Sequence, residues 1–281
     1  MKAEQMRNLW LLRAACFFQV FSFGILWSFS SVWMKEQGVG ETLIGLISST
    51  SIALWFFFGL LWGRLSDQSG RPDRIVLFGS ISLGLVIVYL GHCQTVEEFF
   101  VYAVWIGICL PMVSTQMPLL AVSALGDVDR GRGYASYRIF GSFGYVIGNL
   151  LVPRLLDDIH ALFLVAGASF IIAVLPILGV RVRLPERRSR GSLRSALNNR
   201  ELLGFLSAVF FFALASPAVF TFTWVYAREL GGDNAFIGLL AAEQGGVAIF
   251  ALPLTGRGAD RFGVRLPLLL AFIAMPLRAL S

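Results

Sequence analysis

Apolar runs of 18 residues or more recur along the whole chain, and each is long enough to cross a hydrocarbon layer of about 30 Å as a helix. No feature constrains the fold more. Only helices and closed barrels satisfy every backbone polar group in lipid, and the ~10-residue alternating segments of a barrel are absent. Composition agrees: hydrophobic residues make up 57% and charged residues 14%, with a mean hydropathy of +0.74. The sequence predicts an all-α polytopic membrane protein with nine spans, near 11–34, 42–63, 74–92, 98–124, 134–153, 160–180, 202–226, 235–255 and 265–280.

Basic residues predict the orientation. Arg64, Arg71 and Arg74, then Arg130 and Arg132, then seven arginines between Arg181 and Arg200, then Arg257, Arg261 and Arg265 all fall in alternate loops. The other loops hold Lys35, Arg154 and Arg228, each with acidic neighbours. This asymmetry places the N-terminus in the cytoplasm and the chain in the plasma (inner) membrane. It also accounts for the net charge of +6 without nucleic acid. Residues 181–201 read as a basic cytoplasmic linker on anionic lipid, dividing a bundle over 1–180 from helices over 202–281. Cys16 and Cys109 lie in apolar runs, and the three cysteines form neither a disulfide framework nor a metal spacing. The first apolar run continues past Trp33 without a small-residue cleavage site, so it reads as a retained span. No nucleotide loop, metal cluster or hydrolase triad appears. The chain reads as neither an enzyme nor a cofactor binder.

The chain also repeats itself at an offset of 193 residues. Gly63-Arg64-Leu65-Ser66-Asp67-Gln68-Ser69-Gly70-Arg71, read as a charged turn, returns as Gly256-Arg257-Gly258-Ala259-Asp260-Arg261-Phe262-Gly263. Without a gap, Trp33-Met34-Lys35-Glu36-Gln37-Gly38 lies over Tyr226-Ala227-Arg228-Glu229-Leu230-Gly231. Such a spacing suits two duplicated halves rather than a solenoid. Six spans precede the linker and three follow it, so the reading expects a fragment of a twelve-helix protein, with three helices beyond Ser281.

This pair of motifs resembles the loop motif of the Major Facilitator Superfamily, which follows the second helix of each half. The resemblance implies two six-helix bundles around a cavity. Gly63, Arg64, Asp67, Gly70 and Arg71, with Gly256, Arg257, Asp260, Arg261 and Gly263, are then a gating loop. Asp260 is expected to dock near Gly133–Tyr137, and Asp67 near an eleventh helix. Tyr134-Ala135-Ser136-Tyr137-Arg138-Ile139-Phe140-Gly141-Ser142 looks like the fifth helix of the lactose-permease, nucleoside-proton-symporter and phenylpropionate-transporter group. Arg138 occupies the place of the arginine that binds sugar in lactose permease. The Gly-Pro-x-x-Gly-Gly pattern of drug antiporters is absent, and span 4 has no Arg. No acid follows Pro118, which weighs against a disaccharide.

Few ionisable groups lie deep in the spans, where each is costly unless paired or hydrated. Glu243, in the middle of span 8, reads as a proton carrier, and Arg138 as its partner across the cavity and as a substrate ligand. Gln19, Gln116, Asn149 and Gln244 are candidates for lining or for interhelical bonds. Gly245 and Gly246 leave room for close approach, and Arg13 reads as an anchor at the inner surface. Trp27, Trp55, Trp105 and Trp224 could stack on a ring, but membrane interfaces also attract such residues. His92 and His160 receive no proton-relay role.

The expectation is a monomeric importer of a small polar solute (a sugar, nucleoside or aromatic acid) by proton symport, with proton-driven efflux of amphipathic compounds as the alternative. A non-transporting sensor or structural subunit is the reading from another class.

Overall fold

The computed structural model describes residues 3–125, 130–180 and 200–263, with 269, 270, 272 and 273. Ten helices are described: α1 Ala3–Glu36, α2 Glu41–Ser69, α3 Pro72–His92, α4 Val96–Ser114, α5 Gln116–Leu125, α6 Arg130–Leu155, α7 Ile159–Ile172, α8 Val174–Leu178, α9 Arg200–Glu229 and α10 Asn234–Phe262. No strand occurs among the described residues. Six stretches are long and apolar enough to span a membrane: Glu4–Glu36, Glu41–Ser69, Pro72–His92, Val96–Leu125, Ile159–Leu178 and Asn234–Gly258. The chain is thus an all-α, multi-pass membrane protein. Most of the linker (181–199) and most of the ninth expected span lie outside the described residues.

Two expected spans are each divided into two helices. Pro111 and Pro118 flank the break at Thr115 between α4 and α5, because proline removes an N–H and crowds the preceding turn. Thr115 offsets the disturbance, its Oγ1 donating to the Pro111 carbonyl at 2.6 Å. Pro176 stands just beyond the break at Ala173 between α7 and α8.

Helix ends follow local chemistry. Thr95 and Glu98 form a capping box on α4. Asp158 accepts from the His160 N–H at the start of α7, and Asp233 from the Phe236 N–H at the start of α10. Left-handed glycines stand at Gly38, Gly70, Gly231 and Gly263. They pair off at the offset of the repeat (38 with 231, 70 with 263), so both copies place a positive-φ glycine at these helix ends.

The structure corrects the expected turn at Gly63–Arg71. Residues 63–69 complete the last two turns of α2, and the chain leaves the helix only at Gly70, φ 61°, whose N–H donates to the Ser66 carbonyl. In the second copy, residues 256–262 belong to α10 and Gly263, φ 79°, ends it. Charged residues at a membrane edge are compatible with helix, and only the terminal glycine needs a conformation that L side chains avoid.

Close packing is organised by glycines, as expected where lipid removes the hydrophobic drive between helices. A Cβ added at Gly144 of α6 would collide with the Phe17 carbonyl of α1, and one at Gly238 of α10 with the Asn149 carbonyl of α6. At Gly245 it would meet Tyr145 at 2.8 Å, and at Gly256 Ala135 at 2.9 Å. Helix α6 is therefore gripped between α1 and α10. Elsewhere α3 crosses α7 where Gly84 meets Gly167, and α2 crosses α4 where Gly107 meets Leu54 and Ser51.

Candidate functional site, a cavity closed at one end by reciprocal ion pairs

A cavity of about 690 Å³ lies between the helices before the linker and those after it. Helix α1 contributes Val20, Leu26, Trp27, Ser30, Ser31 and Met34. Helix α2 contributes Ile47, Ser48, Ser51, Ile52 and Trp55, and α4 contributes Tyr102, Ile106 and Leu110. Helix α6 adds Arg138, Ser142 and Tyr145, α9 adds Thr221 and Trp224, and α10 adds Gln244, Gly245 and Ala248. The helical period produces this surface: positions 27, 30, 31 and 34 share one face of α1, and 47, 48, 51, 52 and 55 share one face of α2. Serines in otherwise apolar helices thereby form polar stripes. From Val20 to Met34 the cavity runs about 21 Å along α1, at 1.5 Å per residue.

The indoles are held in different ways. Trp55 Nε1 donates to Ser114 Oγ at 3.0 Å. Trp27 stacks on Phe23 with ring centroids 5.0 Å apart. Trp224 is 1% exposed despite lining the cavity, and Ser31 Oγ donates nearby to the Thr221 carbonyl at 2.9 Å, tying α1 to α9. Trp105 lies elsewhere, its Nε1 donating to Ser82 Oγ between α4 and α3.

Of the six polar candidates from the sequence, Arg138 and Gln244 line the cavity and four do not. Gln19 is buried and donates to Ser80 Oγ at 3.1 Å, joining α1 to α3. Asn149 is buried beside Gly24 and donates to the Tyr145 carbonyl. Gln116 is buried and donates to Thr115 Oγ1 at the α4–α5 break. Glu243 is exposed and shares a helix face with exposed Phe236, Leu239, Val247, Phe250 and Leu254. The register of α10 explains this. Gly238 and Gly245 turn toward α6, and residue 243 lies about 140° around the helix from Gly238. The expected Arg138–Glu243 couple across the cavity is therefore not formed.

Arg13 is placed by α6 rather than by the surface. Its Nη2 donates to Ser136 Oγ, and its guanidinium lies 4.7 Å from the Trp10 ring centroid and 5.4 Å from that of Phe140. The Asp67 copy of the motif ends α2, while Gly256 of the second copy sits against Gly131 and Ala135 at the start of α6. The side chain of Asp260 lies outside the described residues.

One feature of the site escaped the sequence reading. At the end of the bundle carrying the loops 37–40 and 230–233, Lys35 Nζ bonds Glu229 Oε1 at 2.9 Å, and Arg228 Nη2 bonds Glu36 Oε1 at 2.6 Å. Positions 35 and 228 correspond in the repeat, as do 36 and 229. The two pairs are thus one interaction made twice, each half supplying the cation for the other's carboxylate. Lys35 also bonds Glu41, and Arg228 donates to the Gly232 carbonyl and to Asn234 Oδ1, while Asn234 donates to the Asp157 carbonyl. This clasp stands one residue beyond Met34, the last cavity-lining residue of α1.

Duplicated helical halves, closely packed through glycines and enclosing an amphipathic cavity clasped at one end, define a membrane carrier. The family model of the Major Facilitator Superfamily matches residues 14–277, and the chain belongs to that family. Its members transport solutes and are not enzymes. The chain is similar to the "Multidrug resistance protein MdtG" of Dickeya zeae (strain Ech586), 28% identical over 280 residues, covering 92% of this chain and 67% of the relative. The protein of the same name from Salmonella typhimurium is 27% identical over 290 residues, covering 95% and 70%. Among solved structures, a bacterial homolog to the human lysosomal transporter Spinster, in an inward-facing and unoccupied conformation, superposes with a TM-score of 0.70. It is 15% identical and covers 94% of this chain and 64% of that one, a likeness of fold. The chain spans about two thirds of the length of these proteins.

Proposed function

We propose that the chain works in the export of small amphipathic compounds across the inner membrane, driven by proton antiport and alternating access. The observation that carries this reading is the cavity itself: three indoles, two phenols and serine stripes around a single charged side chain. A sugar site needs a dense array of directed hydrogen bonds, whereas this surface offers broad aromatic area with scattered polar groups. The similarity to proteins named for multidrug resistance points the same way and favours export over the symport expected from the Arg138 segment.

The positive-inside distribution orients the clasp to the outer side and the Gly70 and Gly263 ends to the cytoplasm. In this orientation the cavity is closed outward, and the helix ends at Ser66–Arg71 and Gly256–Gly263 form the inner gate. The two bundles, 1–180 and 202 onward, are the rocking units. Proton coupling is assigned to Glu243, the carboxylate among the described residues farthest from a helix end, acting from the exposed face of α10 rather than from the cavity wall.

Everted membrane vesicles from cells expressing the protein, loaded with an imposed pH gradient (acid inside), test the direction. Export predicts accumulation of a fluorescent amphipathic dye in the vesicle lumen, abolished by a protonophore and by Glu243→Gln. Accumulation in right-side-out vesicles with an inward proton gradient would establish import instead.

A further inference from the structure

We infer that His92 and His160 form a binding site for one divalent transition-metal ion, copper(II) or nickel(II), which ties α3 to α7 at the clasped end of the bundle. The site stands apart from the cavity and does not depend on the direction or cargo of transport.

The last turn of α3 explains why the two rings meet. Carbonyls at the end of a helix point beyond it and attract side-chain donors. Here Val88 accepts from His92 Nδ1 at 2.9 Å, Tyr89 from Cys93 Sγ at 3.4 Å, Leu90 from Trp33 Nε1 at 3.0 Å and Gly91 from His160 Nδ1 at 3.0 Å. His160 reaches across from α7 because residue 91 is glycine, where a Cβ would meet the imidazole Nδ1 at 3.2 Å. Trp33 stands two residues before Lys35, so this turn lies beside the clasp.

The hydrogen bonds prepare both rings for a metal. A carbonyl oxygen only accepts, so in each neutral imidazole the proton sits on Nδ1 and the lone pair on Nε2. A main-chain carbonyl on the other ring nitrogen is also the support that metal-bound imidazoles use. Because both Nδ1 atoms face the end of α3, both Nε2 atoms lie on the far side of their rings, away from the helix. The ring centroids are 4.5 Å apart, with the planes at 82°. An ion about 2 Å from each Nε2 stands about 3.2 Å from each centroid, and centroids 4.5 Å apart then subtend about 90° at the ion. That is the angle between adjacent ligands in square-planar and octahedral sites, which suits copper(II) or nickel(II) better than tetrahedral zinc. The negative end of the α3 dipole favours a cation there, as does Asp158, whose Oδ1 accepts from the His160 N–H. Among the described residues no group of three or more His, Cys, Asp or Glu is placed to hold a metal. The protein therefore supplies two nitrogens, and water takes the remaining positions.

The test uses the full chain, purified without a histidine tag, and copper(II) iminodiacetate, a chelate that leaves adjacent positions on the ion open to two imidazoles. Affinity is read by titration calorimetry, and the coordinating nitrogens by electron paramagnetic resonance. The inference predicts one copper per chain, two imidazole nitrogens in the hyperfine pattern, and an affinity loss of about tenfold or more in His92→Gln and in His160→Gln. His92 is exposed, so His92→Gln should melt as the unaltered protein does in the absence of copper. The nitrogen count in the unaltered protein stands even if His160→Gln does not fold. Absence of binding, a single coordinating nitrogen, or a smaller loss of affinity in His92→Gln overturns the inference.

Discussion

Neutralising Glu36 should loosen the clasp by a measurable and bounded amount, read on the outer side in the proposed orientation. In Glu36→Gln the amide can still accept a hydrogen bond, so the change removes charge rather than contact. The Arg228–Glu36 pair is 2.6 Å long, with side-chain exposures of 26% and 36%. Half-exposed pairs of this kind contribute about 1 kcal/mol at most in double-mutant cycles, because solvent screens them. Near room temperature about 1 kcal/mol corresponds to roughly a fivefold change in the equilibrium between outward-closed and outward-open forms. The reporter is a cysteine at Met34, which is 3% exposed and stands directly beneath the clasp. Cys16, Cys93 and Cys109 are all buried, so background reaction with a membrane-impermeant maleimide is low. Labelling from outside should rise about fivefold in Glu36→Gln. Arg228→Gln should raise it further, since Arg228 also holds Gly232 and Asn234. Adding Glu36→Gln to Arg228→Gln should then change nothing more, because the shared interaction is already gone. An unchanged rate in Glu36→Gln, or effects that simply add in the double variant, would refute the clasp as a gate.

The packing of α6 yields a sharper contrast. Gly238→Leu forces a side chain into the Asn149 carbonyl and should destabilise the protein by about 1–3 kcal/mol, whereas Gly246→Leu, which meets nothing within 4 Å, should leave the melting temperature unchanged. Gln19→Leu leaves Ser80 without its buried donor and should cost about 1–2 kcal/mol in stability without altering ligand binding, as measured by thermal unfolding beside binding. Trp55→Ala removes ring area from the cavity wall and should weaken binding of an aromatic probe by about 1 kcal/mol or more, roughly fivefold.

The architecture was legible because membrane insertion writes itself into composition. Apolar runs of fixed length gave the helices, and the repeat at 193 residues marked two halves whose helix ends carry left-handed glycines at matching places. The clasp was latent in the same alignment, Lys35-Glu36 over Arg228-Glu229, but its pairing depends on how the halves face each other, which sequence spacing alone does not state. Depth in a span proved separable from facing. Glu243 stands at mid-helix, yet the register set by Gly238 and Gly245 turns it off the cavity wall and presents Gln244. Gln19 donates across to Ser80 of α3, whereas Gln116 donates to adjacent Thr115 and Asn149 to the Tyr145 carbonyl one turn back in α6. Trp27, Trp55 and Trp224 line the cavity, which their composition alone does not distinguish from an interface belt. The serines at 30, 31, 48 and 51, read with them at helical spacing, were the available signal.

Alternating access around the cavity is best read from paired spin-label distances. One pair joins Thr42 to Leu230 at the clasped end, and the other joins Arg64 to Arg257 at the opposite end. On adding a fluorescent amphipathic dye and shifting the pH, the two distances should change in opposite directions, the first lengthening as the second shortens. Distances that stay fixed, or that lengthen together, would contradict it.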